Sequence, residues 1–287
     1  MRVARTVGEL EPKSRAVALG TFDGVHLGHR AVVQAALEAG PTPTVLTFHP
    51  HPREVLGYRV ELVTTLERRL ELLAELGVVE TLVVEFTSEL AELEPDVFVR
   101  SHLEPIGAEL IVAGETFRFG HHRAGDLAAL ERLGLATKTV PLIDGVSSTE
   151  IRRLVGEGDV VAAAALLGRP IEVEGTVVAG DSRGGTLGYP TANLRVEPAL
   201  LVPPFGIYAG AARGHRAAVS IGVNPHYGGA ERRLEAFLLD FDGDLYGQRL
   251  VIELWQRLRD EAAFTSEAEL VAQIARDVEQ ARAATRP

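Results

Sequence analysis

Apolar and polar positions along the chain change period once. Up to about residue 168, short apolar runs are separated by stretches with helical spacing. "AVALG" at 16–20 is followed by the helix-like "RAVVQAALEAG". Further strands are read in "TVLTF" (44–48), "TLVVEF" (81–86), "AELIVAG" (108–114) and "ATKTVPL" (136–142). Between them, "TTLERRLELLAELG" sets Leu66, Leu70, Leu73 and Leu76 on one helical face, and Gly77 stops it. "IRRLVGEGDVVAAAALLGRP" reads as two short helices ending at Gly168 and Pro170. Alternation of this kind predicts a parallel sheet with helices on its faces.

After Pro170 the spacing becomes that of strands. "IEVEGTVVAG", "IYAGAARG", "RAAVSIG", "RLEAFLLDF" and "RLVIELWQRL" are separated by clusters of Gly, Pro, Asn and Asp. In the last, Leu250, Ile252 and Leu254 share one face and Val251, Glu253 and Trp255 the other. Short strands at this spacing predict a small antiparallel barrel. The final stretch, "TSEAELVAQIARDVEQARAA", reads as a helix opened by a capping box, Ser266-x-x-Glu269. Two domains are expected, 1–168 and 169–287.

Composition narrows the class. A hydrophobic fraction of 46% with 24% charged residues fits a globular protein with a sizeable core. The absence of cysteine excludes disulfides and thiolate metal sites. The net charge of −11 argues against a general nucleic-acid binder. No apolar run has the length of a membrane span. The charged start, "MRVARTVGELEPKSR", lacks the apolar core of a signal peptide. The expectation is a cytoplasmic protein whose partners are small molecules, with neither nucleic acid nor membrane among them; self-association is not excluded.

Four segments carry candidate chemistry. "GTFDGVHLGH" (20–29) lies where a strand turns into a helix, and such a corner suits an anion because unpaired N–H groups and the positive helix end meet there. Gly24 and Gly28 permit a tight turn, while His26 and His29 can donate hydrogen bonds or charge to phosphate oxygens. "TFHPHP" (47–52) is a loop stiffened by Pro50 and Pro52. "GETFRFGHHRAGD" (114–126) carries Arg118 and Arg123, with His121 and His122 read as solvated. "VSSTEIR" (146–152) places Ser147, Ser148 and Thr149 at a helix start, with Arg152 one turn on. That last pattern fits a helix cap as well as a phosphate cradle. His26 and His29 also have ligand-like spacing, but no third metal ligand accompanies them. Neither GxxxxGK[ST] nor GxGxxG followed by an acidic residue is present.

A strand followed by "FDGVHLGH", with "SSTEIR" more than a hundred residues later, resembles the HxGH nucleotidyltransferase superfamily. "TFHPHP" and "FRFGHHRAGD" narrow the resemblance to the amino-terminal half of bifunctional riboflavin kinase/FAD synthetases. In the second half, "GDSRGGTLGYPTANL" (180–194) resembles the riboflavin kinase motif ending in Pro-Thr-Ala-Asn. "PPFGIYAG", "VSIGVNP", "LEAFLLDFDGDLYG" and "LRDEAAFTSEAEL" follow in the family's order. The implied fold is α/β: an amino-terminal Rossmann-like parallel sheet for nucleotidyl transfer, then a small antiparallel β-barrel with a terminal helix.

The resemblance implies that riboflavin is phosphorylated by ATP to FMN, and FMN is then adenylylated by a second ATP to FAD. In the first half, His26, His29 and Arg152 would be catalytic. Gly20, Phe22, Asp23, Gly24, Gly28, Ser148 and Thr149 would contact ATP, and Phe48, Pro50, His51, Pro52, Phe117, Arg118 and Phe119 the flavin. In the second half, Glu235 would be the base and Thr191 and Asn193 would hold Mg²⁺. Gly188 and Pro190 would contact ATP there, and Arg183 the flavin. Independently of the resemblance, an acid at 235 is unexpected on a strand face shared with Phe237, Leu239 and Phe241. Three positions depart from the family pattern: Thr116, Gly185 and the stretch "NPHYGG" (224–229). Two other readings stay open, a chain competent only in adenylyl transfer and a non-catalytic flavin-binding protein.

Overall fold

The computed structural model describes residues 1–180, 185, 187–224 and 231–287, with only the backbone at 223, 224, 231 and 232. Arg183 and most of the 224–229 stretch lie outside the described residues. Two compact units are formed, Met1–Ser148 and Thr149–Pro287.

The first unit is built on six strands: β1 (Arg2–Ala4), β2 (Arg15–Leu19), β3 (Thr42–His49), β4 (Glu80–Glu85), β5 (Ala108–Gly114) and β6 (Ala136–Val140). They pair in parallel in the order β1-β4-β3-β2-β5-β6. From β2 the chain runs outward through β3 to β4, then returns to the other side for β5 and β6. A crevice therefore opens beyond the carboxyl ends of β2 and β5, the place where such sheets bind ligands. All five β2 residues are buried, as expected of a central strand covered on both faces. Ala16 and Ala18 face a core with Val32, Val33 and Ala36 of α1 (Leu27–Leu37), and Leu73 of α3 (Leu66–Glu75) joins them. Val17 and Leu19 face the opposite core with Phe98, Leu103 and Leu130. Short helices α2 (Pro52–Val55), α4 (Ser88–Ala91), α5 (Pro95–Phe98) and α6 (Leu127–Arg132) fill the connections. The edge strand β1 has no counterpart in the sequence reading. Three residues are too few to display a period.

Two helices, α7 (Ser148–Gly156) and α8 (Val160–Leu167), precede a closed barrel. Its strands are β7 (Ile171–Val178), β8 (Ala192–Val196), β9 (Gly206–Ala212), β10 (His215–Asn224), β11 (Glu231–Leu238) and β12 (Arg249–Arg259), in the order β10-β11-β8-β7-β12-β9. Registers place like with like: Val219 is opposite Tyr208 and Ala236, Leu194 opposite Val177 and Leu234, and Ile252 opposite Val173. These side chains are buried and form the barrel interior. Strand β8 pairs with β7 and β11 on its two sides. Closure leaves this strand no open edge.

Trp255, read from the sequence on the face opposite Leu250, Ile252 and Leu254, is 7% exposed. The helix Glu267–Ala283 covers it, bringing Ala281 and Ala284 against the ring. Arg259 clasps the buried Asp277 at 2.9 and 2.6 Å, and Arg282 reaches Asp240 at 2.7 and 3.1 Å. Ser266 caps this helix by accepting from the Glu269 amide at 3.2 Å, while the Glu269 carboxylate reaches back to the Thr265 amide at 3.1 Å.

Candidate active sites

In the first unit the 20–29 turn fills the switch-point crevice at the end of β2. Phe22 and Val25 have φ of 52° and 42°, and Gly24 has 84°. Left-handed backbone at a bulky and a β-branched residue costs of order 1–3 kcal/mol each and persists only where the surroundings hold it. Asp23 is one holder. Its buried carboxylate accepts from the amides of Val63 and Thr64 at 3.2 and 3.1 Å, with Arg69 3.9 Å away. Gly24 N donates to Thr64 Oγ1 at 3.1 Å. The Asp23 side chain thus faces inward to fix the turn, although the resemblance placed it among the ATP contacts.

His26 is the cap of α1, its Nδ1 accepting from the His29 amide at 3.3 Å. That acceptance puts the neutral ring's proton on Nε2, the atom that can donate to an anion. The His29 ring stacks on it with centroids 3.6 Å apart, and Phe22 meets His29 edge-on at 5.3 Å. A Cβ at Gly28 would fall 3.2 Å from His26 Cε1, so glycine lets the ring lie across the first helical turn. Ser148 Oγ, at the end of the first unit, donates to the Asp23 carbonyl at 3.0 Å. Thr149 and Arg152 follow within α7, Thr149 exposed and Arg152 half-buried.

The expected flavin residues divide in two. Phe48 and Phe119, each 8% exposed, belong to an aromatic core with Phe98. Phe117 is half-buried against Phe119, and Arg118 is exposed, with Nη1 donating to the Phe117 carbonyl at 2.7 Å. His51 is buried and caps α2 by accepting from Arg53 N at 3.1 Å, between the half-buried Pro50 and Pro52. Surface for a ligand is therefore offered by Phe117, Arg118 and the two prolines, with Phe48 and Phe119 as backing. His121 departs from its solvated reading: Nε2 lies 3.1 Å from Glu92 and Nδ1 3.4 Å from Glu94.

In the second unit the β8–β11 register places Asn193 directly opposite Glu235 on the face away from the barrel interior. Thr191 Oγ1 donates to Glu235 Oε2 at 2.9 Å. Arg233 Nε is 2.7 Å from Glu235 Oε1 and 3.0 Å from Asn193 Oδ1, and Arg233 Nη2 is 2.9 Å from that amide oxygen. A Cβ at Gly180 would fall 2.3 Å from the Asn193 amide, so glycine there makes room for it. Gly188 has φ of 86°, and after it the Tyr189 ring meets Phe237 edge-on at 5.3 Å; Pro190 then leads into Thr191. The expected wall of Phe237, Leu239 and Phe241 beside Glu235 is corrected by the structure. β11 ends at Leu238 and the chain turns, so only Phe237 keeps that face. Arg233 was missed because a cation at an outward strand position reads as an ordinary solvated residue.

Among the described residues no group of three or more His, Cys, Asp or Glu is placed to hold a metal, and no helix is long and apolar enough to cross a membrane. A family model described as FAD synthetase matches residues 9–151, and one described as riboflavin kinase matches 167–285. A bifunctional riboflavin kinase/FMN adenylyltransferase of Listeria monocytogenes is 37% identical, over 97% of this chain and 95% of its own. Its namesake in Bacillus subtilis is 36% identical, over 94% and 92%. A crystal structure of a protein described as a macrolide-efflux protein from Streptococcus pneumoniae superposes with a TM-score of 0.87, at 30% identity and 98% coverage of both chains. With a His26–His29 turn at the sheet's switch point, a Thr-Asn-Glu cluster on the barrel and relatives matched along nearly their whole length, the chain belongs to the bifunctional riboflavin kinase/FMN adenylyltransferase family.

Proposed function

We propose that the chain converts riboflavin to FMN in its carboxy-terminal module and FMN to FAD in its amino-terminal one, consuming one ATP in each step. The carrying observation is the presence in one chain of two separate phosphate-directed constellations, the His26–His29 turn and the Thr191–Asn193–Glu235 cluster. We assign adenylyl transfer to 1–168 and phosphorylation to 169–287, a division supported by the two family matches.

In the first reaction the 5′-hydroxyl of riboflavin attacks the γ-phosphorus of ATP and the bond to ADP breaks. Glu235 accepts the hydroxyl proton, its carboxylate held by Thr191 and Arg233. Thr191 and Asn193 offer neutral hard oxygens of the kind Mg²⁺ accepts. The guanidinium resting on Asn193 Oδ1 marks a position suited to positive charge, so the residues fit the ion. Mg²⁺ held there would neutralise charge on the triphosphate. Gly188 and Pro190 are assigned to the nucleotide and Arg183 to the flavin.

In the second reaction an FMN phosphate oxygen attacks the α-phosphorus of ATP and pyrophosphate leaves. No covalent enzyme intermediate is needed, so positioning and charge stabilisation suffice. His26 donates from Nε2, with His29 stacked beside it. Ser148, Thr149 and Arg152 are assigned to the triphosphate, and Gly20, Phe22, Gly24 and Gly28 to the turn around it. Asp23 acts through the backbone it pins. Phe117, Arg118, Pro50 and Pro52 are assigned to the isoalloxazine and ribityl groups, backed by Phe48, Phe119 and His51.

The test is direct. Purified protein is incubated with riboflavin, ATP and Mg²⁺ and its flavins are separated by chromatography. Sequential appearance of FMN and FAD is expected. Unchanged riboflavin would instead identify a flavin-binding protein, and FAD formed only from supplied FMN an enzyme of one activity.

A further inference from the structure

The barrel cluster holds a residue to which the proposed phosphoryl transfer assigns no contact with either substrate. Arg233 stands two positions before Glu235 on the same strand face, and its guanidinium touches both Glu235 Oε1 at 2.7 Å and Asn193 Oδ1 at 2.9 and 3.0 Å. Asn193 Nδ2 donates to the Thr191 carbonyl at 3.3 Å, which turns Oδ1 toward the arginine. A guanidinium has only donors and keeps its charge at any working pH. It therefore lies against the very oxygen assigned to the divalent ion. An Mg²⁺ about 2.1 Å from Asn193 Oδ1 would stand within about 5 Å of the guanidinium, where like charges repel strongly.

We propose that Arg233 is a positioning residue acting as an internal counter-cation. It holds Asn193 and Glu235 in register before the metal nucleotide enters, and yields Asn193 Oδ1 to Mg²⁺ when the nucleotide brings its own negative charge. The inference rests on the assignment of Mg²⁺ to Thr191 and Asn193. Its consequence is competition. The arginine excludes free metal from the site, so that the ion is accepted together with triphosphate rather than ahead of it.

The test titrates Mn²⁺ alone, followed by electron paramagnetic resonance, into the full-length protein without nucleotide. Arg233→Met is expected to bind Mn²⁺ about tenfold more tightly than the parent chain, the size of one charge-assisted hydrogen bond removed from a competitor. Arg233→Lys keeps the charge but loses the planar fork and should fall between. Half-maximal FMN formation in Arg233→Met should need correspondingly less Mg²⁺. Unchanged or weaker Mn²⁺ binding in a folded Arg233→Met overturns the proposal; should that variant not fold, parent-like binding by Arg233→Lys does so. Asn193→Ala separates the two levels of the argument. Parent-like Mn²⁺ binding in Asn193→Ala removes the metal assignment and the proposal with it. Weakened binding there, beside an unchanged Arg233→Met, overturns the role of Arg233 alone.

Discussion

At His26 one ring nitrogen starts a helix and the other is left to act, because Nδ1 accepts from the His29 amide. His26→Ala should lower FAD formation from supplied FMN by about 10²–10³-fold, the usual cost of one charge-stabilising donor. FMN formation from riboflavin should continue, and an equal loss of both products in flavin chromatography would contradict separate sites. Glu235 offers the complementary experiment. Glu235→Gln keeps the size of the side chain but removes the proton acceptor, so FMN formation should fall by about 10²–10⁴-fold while supplied FMN is still adenylylated. Unimpaired kinase turnover in this variant would end its assignment as base. His26 and His29 were legible because their spacing and flanking glycines stand in one short segment. Arg233 was not, because its meaning depends on Asn193, forty residues away, being brought opposite Glu235 by the β8–β11 register.

Elements show the same contrast. The helix Glu267–Ala283 was readable from its cap and its spacing, but its docking partner was not. Arg259–Asp277, Arg282–Asp240 and the Trp255 contact all join segments distant in sequence. Asp277 is 4% exposed, so its truncation removes charge-assisted bonds from a nearly dry position. Asp277→Ala is expected to lower unfolding stability by about 2 kcal/mol. Trp255, the chain's one tryptophan, lies under this helix and reports its release. In urea, its emission should shift to the red at lower denaturant in Asp277→Ala than in the parent chain. Coincident transitions would show that the helix is not held by this pair.

At the scale of the whole molecule, one buried ion pair joins the start of β2 to the start of β4. Arg15, fully buried at the start of β2, lies 3.1 Å from Glu80 and also donates to the carbonyl of Glu11 at 2.7 Å. Burial pushes the Glu80 carboxyl up, but hydrogen bonds and charge from Lys13 and Arg15 outweigh it and hold the group below the ordinary glutamate range. A folded value below the unfolded one means that the unfolded chain binds the proton first. The pair therefore stabilises fully above the unfolded value of about 4.3, and its contribution is lost as pH falls through the lower folded value. Denaturant midpoints of the parent chain and Glu80→Gln should differ by a constant amount from neutral pH to about pH 5. From about pH 4 downward the gap should narrow. A gap that stayed the same at low pH would show that the Glu80 charge contributes nothing.

The sequence by itself determined what short-range chemistry can encode. The strand–helix alternation, the change of period near residue 168, the cap at Ser266 and the order of the phosphate-directed motifs depend on residues a few positions apart. Tertiary structure decided what depends on distant segments meeting. It turned Asp23 inward onto Val63, Thr64 and Arg69, closed the barrel so that β8 has two neighbours, and buried Trp255 beneath a helix. It also set a guanidinium against Asn193 and Glu235. Hydrogen bonds and ion pairs act over about 3–4 Å in space and carry no memory of separation along the chain. A side chain's partner can therefore be read only where the fold has already brought the two together.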